Sequence, residues 1–396
     1  ICPLTWVQPV SPGLTASLSS NVVTISGSPN TAGTYNYTLN LTGGCQTIVV
    51  SGTMTVTASN TLTLSSAAGT NAQAACINNP IANITYTTTG ATGATVTGLP
   101  TGVTKTWASN VLTISGTPTV AGVFTYTINL SGGCSSVTTL GTITVSTNSI
   151  AGTASASSST ICSGNSTSLT LTGNTGSIAW QQSSNGTSGW ANVNAGIGST
   201  TSTYTTPALS TSTYYRALIT NGGCTSVASN NLTITVNQTP AAPDVVFIIT
   251  CKDVSPITLS ATATAENNLL WYGTNETGGT GVANANIANT SSVGIFNYYV
   301  SQISALGCES PRSKLPVTVY SYPSTPVITR DGSSNLVSSN SYGNKWYKDL
   351  ILIADTAQTI KPSAAGNYTV LTTQNYCVSK MSAPYYYVNS ITDVVN

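Results

Sequence analysis

Histidine is absent from this chain, and charged residues are scarce. Only 5% of the 396 residues are charged, whereas ordinary soluble domains have about a quarter. Between residues 1 and 243 the only charges are Lys105 and Arg216. A stretch without His, Asp or Glu cannot hold a Ser-His-Asp triad, a pair of glycosidase carboxylates or a carboxylate calcium site. The acids of the C-terminal part are scattered, so we predict that the protein is not an enzyme.

Long apolar runs and basic clusters are also missing. No stretch of 18 apolar residues exists, which predicts no membrane span, and no basic patch for nucleic acid is present. The nine cysteines stand tens of residues apart without a CxxC motif, so we expect no metal site and no cofactor. They predict disulfides instead, and with them an extracellular or cell-surface location. The chain begins at Ile1 without a signal peptide, as expected of a processed secreted protein or a fragment of a longer precursor.

A hairpin ending is present five times: an aromatic-rich run, a turn and then a cysteine. A period of roughly 70–90 residues matches one β-sandwich per repeat. A tyrosine precedes each cysteine by eight or nine residues, giving the pairs Tyr37 and Cys45, Tyr126 and Cys134, Tyr215 and Cys224, Tyr299 and Cys308, and Tyr368 and Cys377.

This repetition predicts an all-β protein, a tandem array of about five immunoglobulin-like β-sandwich modules. Runs rich in Thr, Val, Ile and Tyr alternate with Gly, Asn, Pro and Ser, and no helical period is sustained. The predicted modules are the first at 1–58, which is incomplete, the second at 59–147, the third at 148–237, the fourth at 238–321, and the fifth at 322–396, which ends in a terminal strand.

The third to fifth modules contain a tryptophan ahead of the tyrosine and the hairpin cysteine. This order is typical of an immunoglobulin-like sandwich, in which a buried Trp packs beside a disulfide. Trp180, Trp271 and Trp346 are therefore predicted core residues. Trp190 lies outside the pattern and is the nearest candidate for an aromatic carbohydrate-binding position.

Loops of similar size favour disulfides within modules: Cys76–Cys134, Cys162–Cys224 and Cys251–Cys308. Cys2–Cys45 is the corresponding pairing for the first module. The fifth module has no early cysteine, so Cys377 is predicted to be unpaired or intermolecular. An intermolecular bridge through Cys2 or Cys377 is the alternative at the two ends.

The sequence 99–127, LeuProThrGlyValThr followed by ValLeuThrIleSerGlyThrPro and AlaGlyValPheThrTyrThr, resembles the immunoglobulin-like repeats of secreted surface proteins from Bacteroidetes, especially flavobacteria. IleCysSerGlyAsnSerThrSerLeuThrLeu (161–171) and LeuLeuTrpTyrGlyThrAsnGluThrGlyGlyThrGly (269–281) resemble further modules of the same proteins. The resemblance implies export to the cell surface by the type IX route. Asp355-Thr356-Ala357 matches the short O-glycosylation pattern of this phylum, which makes Thr356 a candidate glycan site.

The first module is shorter than the second. Residues 13–56 align without a gap on 102–145, with about half the positions identical. The second module begins with roughly thirty further residues, 59–89, which have no counterpart in the first module. The first module is therefore expected to lack one or two opening strands and to expose a groove. Strand-type sequence continues to the C-terminus, so the candidate donor strand for this groove contains Tyr385, Tyr386, Tyr387, Val388, Ile391, Val394 and Val395.

Two functions fit these features. A homopolymer results if the final segment of one subunit completes the first module of the next, because such a contact does not close on itself. This reading predicts a surface filament. The alternative is a stalk or ligand-binding segment of a large cell-surface adhesin, whose partners are surface glycans or other cells.

Overall fold

The computed structural model describes residues 4–7, 11–41 and 46–388. Every regular element in these ranges is a β-strand, so the fold is all-β. The contacts divide the chain into two compact units. The first is Ile1–Ser159, Ser166–Pro207 and Ser212–Ile234, and the second is Thr160–Asn165, Ala208–Thr211 and Thr235–Asn396.

The first module has five strands in its described residues. Three form a sheet in the order β1-β4-β5, and β2 pairs only with β3. The strands are β1 (Leu4–Val7), β2 (Leu14–Ser19), β3 (Val22–Gly27), β4 (Gly33–Leu41) and β5 (Ile48–Val56).

The second module contains two four-stranded sheets, ordered β10-β11-β8-β6 and β7-β13-β12-β9. Pairing is antiparallel except between β7 and β13, which run parallel. The strands are β6 (Thr61–Leu64), β7 (Ala72–Cys76), β8 (Ile84–Thr89), β9 (Gly93–Thr97), β10 (Val103–Ala108), β11 (Val111–Gly116), β12 (Gly122–Ser131) and β13 (Thr138–Ser146).

The third module contributes to both units. In the first unit, one sheet has the order β14-β16-β19, and β20 pairs with β17, β21 and the start of β22. In the second unit, β15 pairs in parallel with the end of β22. The strands are β14 (Thr153–Ala156), β15 (Thr160–Cys162), β16 (Ser168–Thr172), β17 (Ser177–Ser183), β18 (Ala191–Asn192), β19 (Thr203–Thr205), β20 (Thr213–Thr220), β21 (Val227–Ala228) and β22 (Leu232–Asn237).

The fourth module has one four-stranded sheet, β24-β30-β29-β27, and two short strand pairs, β23-β26 and β25-β28. Here too the early strand β24 runs parallel to the final strand β30. The strands are β23 (Asp244–Val245), β24 (Ile248–Cys251), β25 (Ile257–Thr258), β26 (Ala261–Thr262), β27 (Asn268–Trp271), β28 (Ile287–Ala288), β29 (Gly294–Ile303) and β30 (Ser313–Tyr320).

The fifth module pairs a sheet of order β31-β32-β35 with a larger one, in which β33, β37 and β38 all pair with β36 and β34 pairs with β33. The strands are β31 (Ile328–Arg330), β32 (Leu336–Ser338), β33 (Asn344–Lys348), β34 (Ile351–Leu352), β35 (Thr359–Ile360), β36 (Gly366–Gln374), β37 (Cys377–Val378) and β38 (Tyr385–Tyr387).

The predicted core tryptophans are buried. Trp180 and Trp346 have no exposed surface and Trp271 is 2% exposed, which confirms the sequence prediction. Burying an indole N–H without a partner is costly, and the structure supplies partners. Trp180 Nε1 donates to the carbonyl of Thr201 at 2.9 Å, and Trp346 Nε1 donates to that of Ala357 at 2.8 Å.

A glycine makes room for the main aromatic of the second module. Tyr126 on β12 lies directly across from Gly141 on β13, and the phenol ring covers the position that a Cβ at residue 141 would occupy. Tyr126, Ile128 and Leu130 alternate with exposed or half-buried threonine and asparagine along β12. This period of two gives the strand one buried face.

Candidate functional site

Three disulfides are present among the described residues, and each joins a cysteine near the start of one module to the hairpin cysteine of the next. They are Cys76–Cys224, Cys162–Cys308 and Cys251–Cys377. These bonds contradict the predicted pairing within modules, Cys76–Cys134, Cys162–Cys224 and Cys251–Cys308. They also correct the prediction that Cys377 is unpaired or intermolecular.

Strand direction excludes the predicted pair in the second module. Cys76 ends β7 and lies across from Ser146, the last residue of β13. Cys134 follows β12, whose final residues pair with the start of β13 at Thr138. The two cysteines are therefore separated by the length of the nine-residue strand β13, roughly 30 Å at about 3.3 Å per residue. A disulfide spans at most about 7 Å between Cα atoms.

The fourth module repeats this arrangement. Cys251 ends β24 and lies across from Tyr320, the last residue of β30. Cys308 follows β29, which is antiparallel to β30 and begins across from its end. The early cysteine thus marks the end of the sheet at which the chain leaves the module, and the hairpin cysteine lies at the opposite end.

Each hairpin cysteine instead lies against the final residues of the preceding module. Cys224 Sγ is 3.1 Å from the carbonyl oxygen of Thr147, just after β13. The corresponding distances are 3.9 Å from Cys308 to Asn237 and 3.9 Å from Cys377 to Tyr320. In all three cases the early cysteine of the preceding module is at the same place, which is why the disulfides cross the junctions.

The first module is an open sandwich in the part that the structure describes. Residues 33–56 align with 122–145, so β5 corresponds to β13, but β5 pairs only with β4 where β13 pairs with both β12 and β7. Likewise β3 pairs only with β2, whereas its counterpart β11 also pairs with β8. Among the described residues, both strands therefore present a free backbone edge.

Exposure of apolar side chains follows from the open edges. In the second module Leu112 and Ile143 are fully buried, whereas their counterparts Val23 and Met54 are only half-buried. On the inner face of β5, Val50 is 47% exposed, whereas its counterpart Thr139 is half-buried. Free edges beside exposed apolar residues are a template for strand pairing.

Cys134 is a free and exposed cysteine. Its thiol donates to the carbonyl oxygen of Thr57 at 2.7 Å, and its backbone N–H donates to that of Ala58 at 3.1 Å. Thr57 follows β5 directly, so Cys134 contacts the end of the first module as Cys224 contacts the end of the second. Cys2 and Cys45 lie outside the described residues.

The first part of the predicted donor strand belongs to the fifth module's own sheet. β38 pairs with β36 through Tyr385, Tyr386 and Tyr387. Tyr387 is 5% exposed, and its ring meets that of Tyr368 edge-on at 6.1 Å. Donating these residues would remove part of the fifth module's core, so we correct their assignment as donors. Val388 follows this strand, whereas Ile391, Val394 and Val395 lie outside the described residues.

Two further candidate residues are described. Thr356 is exposed in the loop between β34 and β35, where Asp355 accepts a hydrogen bond from the Ala357 N–H at 2.8 Å. An exposed loop suits a glycan, and that assignment stays a prediction. Trp190 is half-buried, and the guanidinium of Arg216 covers one face of its ring at 4.3 Å from the ring centre; its assignment to carbohydrate binding stays a prediction.

Within the described ranges, no group of His, Cys, Asp and Glu residues is arranged to hold a metal ion. No helix of the described chain is long and apolar enough to cross a membrane. The candidate site consists of the edges of β3 and β5 together with Cys134.

Comparison with known proteins agrees with this architecture. Residues 240–320 match the family described as "Ig-like domain CHU_C associated", and residues 150–238 match one described as "Domain of unknown function (DUF8696)". The fold is a tandem array of immunoglobulin-like domains. No curated protein matches the chain by sequence.

Solved structures with a similar fold are tandem arrays as well. Domains A168–A170 of titin are 14% identical, with 60% of this chain and 89% of that chain covered and a TM-score of 0.38. The ICAM-5 D1–D4 ectodomain fragment is 9% identical, with coverage of 83% and 99% and a TM-score of 0.29. The FN1–FN3 domains of chicken CNTN1 are 12% identical, with coverage of 61% and 98% and a TM-score of 0.23. These likenesses concern the fold alone.

Proposed function

We propose that the protein is an extracellular structural subunit of a bacterial surface filament, assembled head to tail by strand addition to the first module. The observation that carries this proposal is the open sandwich, with free edges on β3 and β5 beside half-buried counterparts of core residues. A strand that fills an open edge gains backbone hydrogen bonds and buries apolar side chains at once.

Composition and cysteine use support the same function. Three disulfides favour an oxidising, extracellular compartment. A net charge of +1 gives little repulsion between copies. The bacterial origin rests on the resemblance of residues 99–127 to Bacteroidetes surface repeats.

The donor in this proposal is the segment 388–396 of a neighbouring subunit. Tyr385–Tyr387 are excluded from it because they form β38 of their own module. Ile391, Val394 and Val395 remain the apolar residues that would enter the groove. The segment follows β38 directly, so it can be donated while the fifth module stays complete.

A stalk or ligand-binding segment of a cell-surface adhesin is the second candidate. The observation that favours it is the intrachain closure of all three junction disulfides. Consecutive modules are held together within one chain, and that array needs no second subunit. In this case the segment that completes the first module does not come from a second copy of this chain.

Light scattering after gel filtration and negative-stain electron microscopy distinguish the two functions. The filament function predicts concentration-dependent polymers for the full chain and monomers after removal of residues 389–396. A chain that stays monomeric at every concentration would overturn the filament proposal and favour the adhesin segment.

A matched pair of variants on β5 tests whether an added strand covers the inner face of the first module. Val56 corresponds to Val145, which is 3% exposed, so Val56→Lys places a charge on the inner face that an added strand must cover. Thr55 is exposed on the outer face of the same strand. We expect Val56→Lys to abolish polymers and Thr55→Lys to leave them, because only the inward charge resists burial.

A further inference from the structure

Four hairpin cysteines among the described residues occupy equivalent positions, and three of them are bonded. Cys224, Cys308 and Cys377 each lie against the final residues of the preceding module and bond to its early cysteine. Cys134 lies in the same way against Thr57 but is free. Among the described residues, Cys134 differs from the other three because no strand brings a second cysteine to its position.

Equivalent strands supply the second cysteine at all three junctions. Each runs parallel to the module's final strand, and its last residue is the cysteine. Cys76 lies across from Ser146, Cys162 from Asn237 and Cys251 from Tyr320. The cysteine position is therefore fixed by backbone register to the residue that ends the module.

The matching edge on the first module is β5. Thr57 corresponds to Ser146, so a parallel strand on β5 in the register of β7 would end across from Thr57, whose carbonyl oxygen already accepts the Cys134 thiol. Two independent observations meet here. One is the free edge of β5 with a half-buried inner face, and the other is a free thiol at its end.

We propose that Cys134 is the receiving half of a disulfide to a partner strand that completes β5. The partner is an extended segment of the β7 type, made mostly of small or β-branched residues and ending in cysteine, as AlaGlnAlaAlaCys, ThrIleCys and IleIleThrCys do in β7, β15 and β24. The inference rests on the proposed function, because the first module must be open to strand addition. The segment 388–396 has no cysteine, so that donor lies on the edge of β3 and the cysteine-ended strand on the edge of β5.

The covalent step is a thiol–disulfide exchange. The Cys134 thiol loses a proton, and its sulfur attacks the partner cysteine, which enters as a mixed disulfide with a small thiol. The new bond joins the two cysteines, and the small thiol leaves with the electron pair of the broken bond. No other oxidant is consumed.

A peptide with the sequence of residues 70–79, whose cysteine is carried as a mixed disulfide with thionitrobenzoate, tests the inference on the full chain. Release of the coloured thiol gives the rate, and mass spectrometry of the unreduced digest locates the bond. We expect bonding at Cys134 at least about tenfold faster than with a peptide of the same composition and scrambled order, because strand pairing raises the local concentration of the sulfur.

Variants separate this inference from the filament itself. Val56→Lys should remove the advantage of the ordered peptide, and Thr55→Lys should keep it. Equal rates for ordered and scrambled peptides, or an advantage that survives Val56→Lys, would overturn the inference. Polymers that form through residues 389–396 while the peptide shows no preference would leave the filament proposal standing and reject the disulfide alone.

Discussion

Cys76 lies directly across from Ser146 in a parallel strand pair. Because Ser146 ends the second module, this register carries the early cysteine to the point where the chain enters the third. Cys224 reaches the same point from the other side of the junction, and the two are 4.6 Å apart between Cα atoms. The strand register therefore decides which cysteines form disulfides, and this pairing can be tested directly.

Disulfide mapping is the first test. Digestion without reduction should yield the linked pairs Cys76–Cys224, Cys162–Cys308 and Cys251–Cys377, since strand register brings only these together. Mass spectrometry before and after reduction identifies each pair. Recovery of a Cys76–Cys134 peptide from freshly secreted protein would contradict the structure.

Removing one junction disulfide should cost stability. In the double variant Cys76→Ala, Cys224→Ala, a loop of 148 residues is no longer closed, which in the chain-entropy model is a loss of up to about 5 kcal/mol. Thermal melting should show a lower transition temperature for the second and third modules. Cys134→Ser is the control, because that cysteine closes no loop in the chain, and it should melt like the original protein.

Neighbouring tyrosines on β38 test whether residues 385–387 belong to the fifth module. Tyr387 is 5% exposed and Tyr386 is 65% exposed. Tyr387→Ala should destabilise that module by roughly 3–5 kcal/mol, as expected for a buried aromatic, and Tyr386→Ala should change little. Urea denaturation followed by tryptophan fluorescence measures both. Equal effects would mean that β38 is not part of the core.

The two tryptophans of the third module should differ in the same way. Trp180 has no exposed surface, packs near Tyr204 at 6.0 Å between ring centres and donates its N–H to Thr201. Trp180→Ala should destabilise the module by roughly 3–5 kcal/mol. Trp190→Ala loses the contact with Arg216 and should cost about 1 kcal/mol or less. Chemical denaturation curves of the two variants provide the comparison.

Alkaline pH should weaken folding through Tyr215. Burial, followed by the charge of Tyr204, raises the pKa of Tyr215 to about 12, whereas a tyrosine in an unfolded chain has a pKa of about 10. Above that pH the unfolded chain releases a proton that the folded chain retains, so stability falls as pH rises through this window. Tyr215→Phe should reduce the slope of unfolding free energy against pH between about 10 and 12.

Neutral pH provides the control for the same variant. The Tyr215 hydroxyl has no hydrogen-bond partner among the described residues, so replacing it with hydrogen should be neutral or slightly stabilising at pH 7. Measurements in a Cys134→Ser background prevent thiolate exchange through Cys134 at high pH. An unchanged alkaline slope would show that other tyrosines carry the effect.

The fold was largely predictable from sequence because its signals are local. Alternation along β12 and the repeated order of tryptophan, tyrosine and cysteine indicate sandwiches without knowledge of strand order. The buried positions of Trp180, Trp271 and Trp346 follow from the same pattern and are confirmed.

Disulfide pairing was predicted wrongly because the spacing of cysteines along the sequence carries no information about strand direction. Early and hairpin cysteines both recur once per module, so loops of regular size result whether bonds stay within modules or shift by one. The parallel course of β7 along β13 is a long-range pairing with no local signal. One sign was present: Cys377 has no early partner in the fifth module, which a shift by one module explains.

The open first module was partly predictable. Alignment of 13–56 on 102–145 indicates missing strands, and the structure gives free edges on β3 and β5. Sequence could not show that Cys134 contacts Thr57 at one of these edges, since that contact depends on how a hairpin of one module meets the end of another.

The disulfide loops overlap, and this limits how far the chain can be stretched. Each disulfide loop begins before the preceding loop ends, since the loops span residues 76–224, 162–308 and 251–377. When the two ends are pulled apart, tension runs from residue 76 to 224 and from 251 to 377 through sulfur. The backbone between residues 76 and 224 and between 251 and 377 carries no tension, even if every sandwich unfolds. Only roughly a third of the contour length of the chain can therefore be extended. Tension leaves the protein short until a thiol reductant cuts the bonds.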